Sequence, residues 1–147
     1  MRILAVDPGE KRIGLAISDP TGMIANPLMI IRHVSRPVDA ATIAQIAREQ
    51  QASRIVIGQA LDVDGRPTPQ SRRAGRLAAA VRDQTDLPIE LWDESGSTQA
   101  ARSARIEMGV PRRKSRGHLD DLAATYILQT YLDAHDNTSP TPTELKP

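Results

Sequence analysis

The chain has no cysteine and only three histidines in 147 residues. Disulfide bonds and thiolate zinc sites are therefore excluded, and His33, His118 and His135 share no spacing typical of metal ligands. No apolar run is long enough to span a bilayer, and Asp7 interrupts the first apolar run before a signal-peptide core could form. These absences predict a soluble, cytoplasmic protein without membrane association.

Lysine is also scarce. Only three of the 19 basic residues are lysines, and the net charge is +1, which does not by itself indicate a nucleic-acid-binding protein. Nearly all of the positive charge is arginine, the side chain best suited to bidentate phosphate contacts. The same bias can reflect genome composition, so the distribution of the charge matters more than its total.

Apolar patterning predicts five strands and four helices. The strands are expected at Ile3–Val6, Ile13–Ile17, Ala25–Ile31, Arg54–Gly58 and Leu87–Trp92, and the helices at about Pro37–Gln50, Pro69–Asp83, Ser97–Met108 and His118–Ala134. Residues 1–135 are expected to form one domain. Residues 136–147 are polar and rich in proline, which predicts a disordered tail.

The order β-β-β-α-β-α-β-α-α is that of the ribonuclease H-like fold. We therefore predict an α/β protein with a five-stranded mixed sheet, three antiparallel strands followed by two parallel ones, and flanking helices. The first strand then lies at the centre, and Asp7 stands at its carboxyl end, where open α/β sheets bind ligands. Alternatively, Asp7 only stabilises the turn at Pro8 and Gly9.

Further acids are expected at the same edge. Asp93 and Glu94 end the fifth strand, and Asp120 begins the last helix at the margin of an apolar face, with Asp121 turned a further ~100° towards solvent. Each could instead be an ordinary acid at a helix N-terminus. The apolar face that we expect to pack on the sheet consists of Leu119, Leu122, Ala123, Tyr126, Ile127 and Thr130.

Three carboxylates that converge on one edge, Asp7, Glu94 and Asp120, need a cation between them. Oxygen donors without sulfur or imidazole favour Mg²⁺ or Mn²⁺, and two such ions ~4 Å apart can cleave a phosphodiester. One difficulty is that the backbone of Glu94 should be about 10 Å from that of Asp7, with another strand between them. Asp62 or Asp64 could approach Asp7 instead.

Four motifs, in order along the chain, resemble the YqgF family. Its members are described as RuvX-like Holliday-junction resolvases and as nucleases that trim the 5′ end of pre-16S ribosomal RNA. The resemblance covers about Met1 to Asp133. The motifs are Asp7-Pro8-Gly9 with Lys11-Arg12-Ile13-Gly14, then Ile57-Gly58 with Asp64-Gly65, then Trp92-Asp93-Glu94 with Ser97-Thr98, and finally Asp120 before Leu122-Ala123-Ala124.

This resemblance implies a divalent-metal-dependent endonuclease that acts on branched DNA or precursor rRNA. By similarity, Asp7, Glu94 and Asp120 are the catalytic and metal-binding carboxylates. Resolution of a symmetric junction would favour a homodimer. Two departures, Gly58-Gln59-Ala60-Leu61 for Gly-Leu-Pro-Leu and Ser95-Gly96 for Arg-Leu, bear on substrate affinity more than on metal chemistry.

Two other functions remain open from the sequence. One is a catalytically weak nucleic-acid-binding module for ribosome assembly with the same fold. The other is an actin-like nucleotide-binding domain, although such enzymes clamp nucleotide between two domains and 147 residues supply one.

Basic residues near the predicted edge are candidates for nucleic-acid binding. A basic loop precedes the last helix, and it could be a phosphate clamp or an ordinary solvated loop. Phosphate contacts of this kind would be strongly salt-dependent and would show little sequence preference. The candidates are Lys11, Arg12, Arg112, Arg113, Lys114 and Arg116.

Overall fold

The computed structural model describes residues 1–94 and 119–135 of the chain, without the side chains of residues 119–121. Within these ranges the elements are β1 (Arg2–Pro8), β2 (Arg12–Ser18), β3 (Ala25–Arg32), α1 (Arg36–Glu49), β4 (Ala52–Gln59), α2 (Pro69–Arg82), β5 (Ile89–Asp93) and α3 (Leu119–Ala134). Each matches a predicted element to within a few residues. The predicted helix Ser97–Met108 and the predicted tail 136–147 lie outside the described residues. No helix in the described ranges is both long and apolar enough to cross a bilayer.

The five strands form one mixed sheet in the order β3-β2-β1-β4-β5. The pairs β1–β2 and β2–β3 are antiparallel, and β1–β4 and β4–β5 are parallel. The predicted topology is thus confirmed, with β1 at the centre. Pro27 lies on the edge strand β3, beside a register shift in its pairing with β2, a position where proline is tolerated. The carboxyl ends of β1, β4 and β5 meet at one edge of the sheet.

Side-chain alternation divides the core between the two faces of the sheet. On the first, here called the α1/α2 face, Leu4, Val6 and Ile57 pack with the apolar residues of α1 and α2. On the second, here called the α3 face, Ala5 and Val56 pack against α3. Both faces are covered, which explains why β1 and β4 are almost continuously apolar.

Local signals fix where α1 and α2 begin. Ser35 caps α1, its side chain accepting the backbone N–H of Val38. Thr68 caps α2 in a capping box with Ser71, and a proline occupies the first turn of each helix. The predicted apolar stripe of α2 is confirmed, since Ala74, Leu77, Ala78 and Val81 are all buried.

The face of α3 that packs on the sheet differs from the predicted one. Ala123 and Ile127 are buried as expected, but Leu122 and Tyr126 are only half-buried. The buried stripe is rotated around the helix and also includes Ala124, Leu128, Tyr131 and Leu132. Because α3 is apolar on more than one side, helical periodicity alone could not select the face that the sheet covers.

Candidate active site

Strand alternation directs Asp7 and Glu94 towards the same face of the sheet. Asp7 continues the series of Ile3 and Ala5, which lies on the α3 face. Glu94 is two residues after Trp92, which packs on the same side. The backbone N–H of Glu94 donates to the carbonyl of Gln59, so the β4–β5 pairing extends to this residue. The carboxyl ends of β1 and β5, which are not neighbours in the sheet, thus place Asp7 and Glu94 on the same α3 face.

A glycine on the intervening strand lets the glutamate side chain cross the gap. Gly58 is the β4 residue between them, and a Cβ built on it would lie 2.8 Å from Oε2 of Glu94 and 2.6 Å from Cδ1 of Ile127. Both distances are shorter than a real side chain tolerates. The missing Cβ therefore provides the space through which Glu94 reaches Asp7 despite the separation expected from the sheet.

Burial, together with the neighbouring acids, raises the pKa of Glu94 to about 8. Burial of the carboxyl group contributes most, because a low-dielectric surrounding disfavours the charged form. The negative charge of Asp7, a hydrogen bond between the two carboxyl groups and the charge of Asp93 raise the pKa further. Without a cation, the pair therefore holds a proton at neutral pH, which the Glu94 carboxyl donates to Asp7.

The donor chemistry of this pair fits a divalent cation. Oε2 of Glu94 is buried, and no group in the described part of the chain donates a hydrogen bond to it. A buried carboxylate oxygen without a donor is costly, and a hard cation such as Mg²⁺ satisfies it. Within residues 1–94 and 122–135, no group of three or more acidic or histidine side chains is arranged to hold a metal. A third protein ligand would have to come from elsewhere in the chain.

Asp120 is placed only by its backbone. It is the second residue of α3, four residues before Ala124 and seven before Ile127, both of which are buried on the α3 face. Residues at these spacings share one side of a helix. Its side chain is outside the described residues, as is that of Asp121, so the role of Asp120 as third carboxylate stays a prediction.

An aromatic cluster fixes the end of β5 against α3. The indole N–H of Trp92 donates to Thr130 Oγ1 at 3.1 Å, and the Trp92 ring meets that of Tyr131 edge-on at 5.1 Å. Tyr131 in turn stacks on His135 at 4.1 Å. Because Glu94 follows Trp92 by two residues, this packing helps to fix the direction in which the catalytic candidate points.

The other acids considered from the sequence lie apart from the pair or are used locally. Asp62 accepts the backbone N–H groups of Asp64 and Arg66 with Oδ1 and so orders the β4–α2 loop. Asp64 is exposed in that loop. Asp93 alternates to the side opposite Glu94 and acts on it only through its charge.

The basic candidates are placed only in part. Lys11 and Arg12 are exposed at the turn between β1 and β2, a few residues beyond Asp7. The four candidates of the basic loop, Arg112, Arg113, Lys114 and Arg116, lie outside the described residues, as do Ser95 and Gly96.

Gly58 is the functional position that the motif comparison left without a role. In the sequence, Gly58 belongs to the Ile57-Gly58 motif and is the first residue of a loop that departs from the family pattern, and neither observation gives it a role. The available signal was a glycine closing a continuously apolar strand, since a glycine within a strand often marks the close approach of another group. Trp92 was seen only as part of a motif, and its contact with Tyr131 required the relative placement of β5 and α3.

Comparisons with known proteins identify the family and the fold. The family model described as RuvX, Holliday junction resolvase, matches residues 1–134. A protein of Syntrophus aciditrophicus named "Putative pre-16S rRNA nuclease" is 41% identical over 134 residues, covering 91% of this chain and 89% of the relative. A relative of the same name from Myxococcus xanthus is 36% identical over 135 residues, covering 92% and 89%.

Among solved structures, Thermus thermophilus RuvC in complex with a Holliday junction substrate is similar in fold. The TM-score is 0.59 at 17% identity, and the match covers 94% of this chain and 97% of RuvC. At this identity the likeness establishes the fold alone.

Proposed function

The chain belongs to the RuvX family of Holliday junction resolvases, and from this premise we propose that it is a divalent-metal-dependent nuclease that hydrolyses phosphodiester bonds in structured nucleic acid. The names of its relatives point to precursor 16S rRNA, and the family description points to branched DNA. Both are phosphodiester substrates, and one site serves either.

One observation carries the proposal: Glu94 reaches Asp7 across Gly58. Two acids in contact at the carboxyl edge of a sheet cannot both be charged at low cost without a cation, and Oε2 of Glu94 is buried with no donor in the described part of the chain. Such an arrangement costs folding free energy and so favours a role in binding a cation. A purely structural site would give the buried Oε2 of Glu94 a hydrogen-bond donor.

In this proposal Asp7 and Glu94 hold Mg²⁺ or Mn²⁺ together with Asp120. The bound ions supply an activated water and stabilise the leaving oxygen of the phosphodiester. Gly58 leaves the space that keeps Glu94 directed towards Asp7, and Trp92 fixes the end of β5. Lys11 and Arg12, exposed next to the β1 carboxyl end, contact the substrate backbone without reading its sequence.

Cleavage assays with two substrates test this function. A synthetic four-way DNA junction and an RNA that carries the 5′ flank of 16S rRNA are incubated with the full chain in Mg²⁺, Mn²⁺ or EDTA. We expect cleavage of at least one substrate with metal and none in EDTA. Asp7→Asn, which is nearly isosteric, should lower the rate by more than about 100-fold, since even the loss of groups that only support a ligand costs 10- to 100-fold.

Asp86→Asn is the matched control, because Asp86 is an exposed acid in the loop between α2 and β5, away from the carboxyl edge. It should cleave at the wild-type rate. Cleavage that persists in EDTA, or an Asp7→Asn variant as active as Asp86→Asn, would refute the proposed metal site. Binding of both substrates without cleavage in either metal would instead favour the non-catalytic assembly module.

A further inference from the structure

A cavity lies beside the carboxyl end of β1, on the α1/α2 face of the sheet. Its volume is about 330 Å³, and its walls include Pro8 and Gly9, the two residues that follow Asp7. Alternation sends the side chains of Asp7 and Pro8 to opposite faces. The turn that ends β1 therefore separates this cavity from the candidate active site.

Three arginines line this cavity, which we call the arginine pocket. Arg36 is the first residue of α1, and Arg73 and Arg76 are three residues apart on α2, a spacing that places them on one side of the helix. Arginine presents a planar set of donors that matches a phosphate group. Three guanidinium groups around one cavity are an unfavourable arrangement unless an anion balances them.

Two acids also line the arginine pocket, and they differ in how firmly they are held. Asp39 is buried, and its carboxylate is bonded to His33 Nδ1 and to the backbone N–H of Val34. The Asp39 carboxylate is therefore already used to hold the segment that leads into α1. Glu10 instead pairs with Arg73 Nη2 at 3.3 Å, and its side chain is 78% exposed. An exposed ion pair of this kind is weak, so Glu10 can be displaced.

We propose that the arginine pocket binds a phosphate group of the nucleic-acid substrate, which displaces the Glu10 carboxylate from Arg73. This inference rests on the proposed function for the identity of the ligand, since it assumes a nucleic acid at Asp7. A substrate strand that passes over the β1–β2 turn would place one phosphate near Asp7 and a neighbouring one in the arginine pocket. The phosphate can be an internal diester or a terminal monoester.

The test measures binding separately from cleavage. A short RNA hairpin labelled at its 3′ end, carrying either a 5′-phosphate or a 5′-hydroxyl, is titrated with the full chain in EDTA over a salt series. Arg73→Met keeps the length of the side chain and removes the charge. We expect about tenfold weaker binding and a slope of log K against log [salt] that is smaller by about one unit. Glu10→Gln should bind about threefold more tightly, the opposite sign.

Arg48→Met is the matched control. Arg48 is an exposed arginine in the last turn of α1, about 18 Å along the helix from Arg36, and its loss should leave affinity and slope unchanged. A penalty of Arg73→Met confined to the 5′-phosphorylated hairpin would identify the terminal monoester as ligand. An equal penalty on both hairpins would identify an internal diester.

Three results would contradict the proposal that the arginine pocket binds a phosphate group. They are wild-type affinity and slope in Arg73→Met, equal losses in Arg48→Met, or no binding of either hairpin by the wild type. Failure of the proposed nuclease activity is a separate result. It would be seen as binding that depends on Arg73 without cleavage of any substrate in Mg²⁺ or Mn²⁺.

Discussion

The two faces of the sheet are built from alternate residues of the same strands, yet they differ in polarity. On the α1/α2 face, the buried side chains that the strands supply are apolar, such as Leu4 and Val6 of β1 and Ile57 of β4, and the buried polar residues Asp39 and Ser71 belong to the helices. On the α3 face, by contrast, β1 carries Asp7 and β4 carries Arg54, while β5 carries Glu90 and is followed directly by Glu94.

The charges of the α3 face also differ between its two ends. At the amino ends of β4 and β5, Arg54 pairs with Glu90 at 2.8 Å, and the Tyr131 hydroxyl donates to Glu90 at 3.1 Å. At the carboxyl ends, two acids meet and a buried oxygen lacks a donor within the described residues. In the first arrangement the charged groups pair with each other, whereas the second leaves an oxygen for the cation that we propose.

The largest expected effect concerns stability on the α1/α2 face. Ile57 is fully buried in the apolar cluster beside Gly58, and Ile57→Ala should lower the free energy of unfolding by about 3 kcal/mol. Ile57→Val, the milder control, should cost about 1 kcal/mol. Urea denaturation measures both. If the apolar cluster of this face only stabilises the fold, cleavage per folded molecule should remain close to wild type in both variants. A selective loss of activity would contradict this separation of stability from catalysis.

The next effect is the dependence of folding stability on pH that the Glu94 carboxyl causes. Because its pKa rises from 4.5 in the unfolded chain to about 8 in the folded one, the folded chain binds more protons between these values. Its stability in EDTA should therefore fall as pH rises from about 4.5 to 8. Glu94→Gln should remove most of this slope, gain stability at pH 8 and lose cleavage.

Thermal unfolding in EDTA across this pH range measures the effect. Addition of Mg²⁺ should restore stability to the wild type at pH 8 and leave Glu94→Gln unchanged. Identical pH profiles for the two proteins would mean that the Glu94 carboxyl is solvated in the folded chain.

A smaller loss is expected when the space above Gly58 is filled. Gly58→Ala places a methyl group against Glu94 Oε2 and Ile127, and overpacking of this kind costs about 1–2 kcal/mol. Metal affinity should fall as well, because Glu94 is pushed away from Asp7. The matched control is Gly75→Ala in α2, where nothing lies within 4 Å of an added Cβ. That change should stabilise the helix by about 0.5–1 kcal/mol. A similar gain in Gly58→Ala would argue against the passage of the Glu94 side chain over Gly58.

The smallest expected effect is that of Asp121→Asn, which should leave cleavage close to wild type. Asp120→Asn should abolish metal-dependent cleavage, because its position in α3 lies near the centre of the buried stripe, in line with Ala124 and Ile127. Asp121 is about 100° further around the helix, at the margin of that stripe. Rates measured side by side in Mn²⁺ compare the two. The reverse order of activity would mean that the third carboxylate is Asp121.

The sheet could be predicted from the sequence because its signals are local. Apolar runs such as Arg54–Gly58 are strands whichever neighbours they acquire, and connection rules then leave few possible orders. The rotation of α3 could not be predicted, since Leu122 and Leu128 are equally apolar and only the shape of the sheet decides which is buried.

The candidate site shows the same limit more sharply. Sequence motifs identified Asp7 and Glu94, but ordinary strand spacing placed them about 10 Å apart. Their contact depends on an absent side chain, that of Gly58, on a third strand. A relation between three strands is invisible to periodicity, which describes one segment at a time. The arginine pocket likewise joins α1 to α2 and to the β1–β2 turn, which no single motif contains.

The central claim is that Asp7 and Glu94 form one cation site across Gly58. Calorimetric titration of the full chain with Mn²⁺ near pH 8, in the absence of nucleic acid, tests it most directly. The wild type should bind Mn²⁺, Asp7→Asn and Glu94→Gln should each weaken binding by at least about tenfold, and the double variant should be little worse than either, because the two groups act on one site. Wild-type Mn²⁺ affinity in Glu94→Gln would contradict the account.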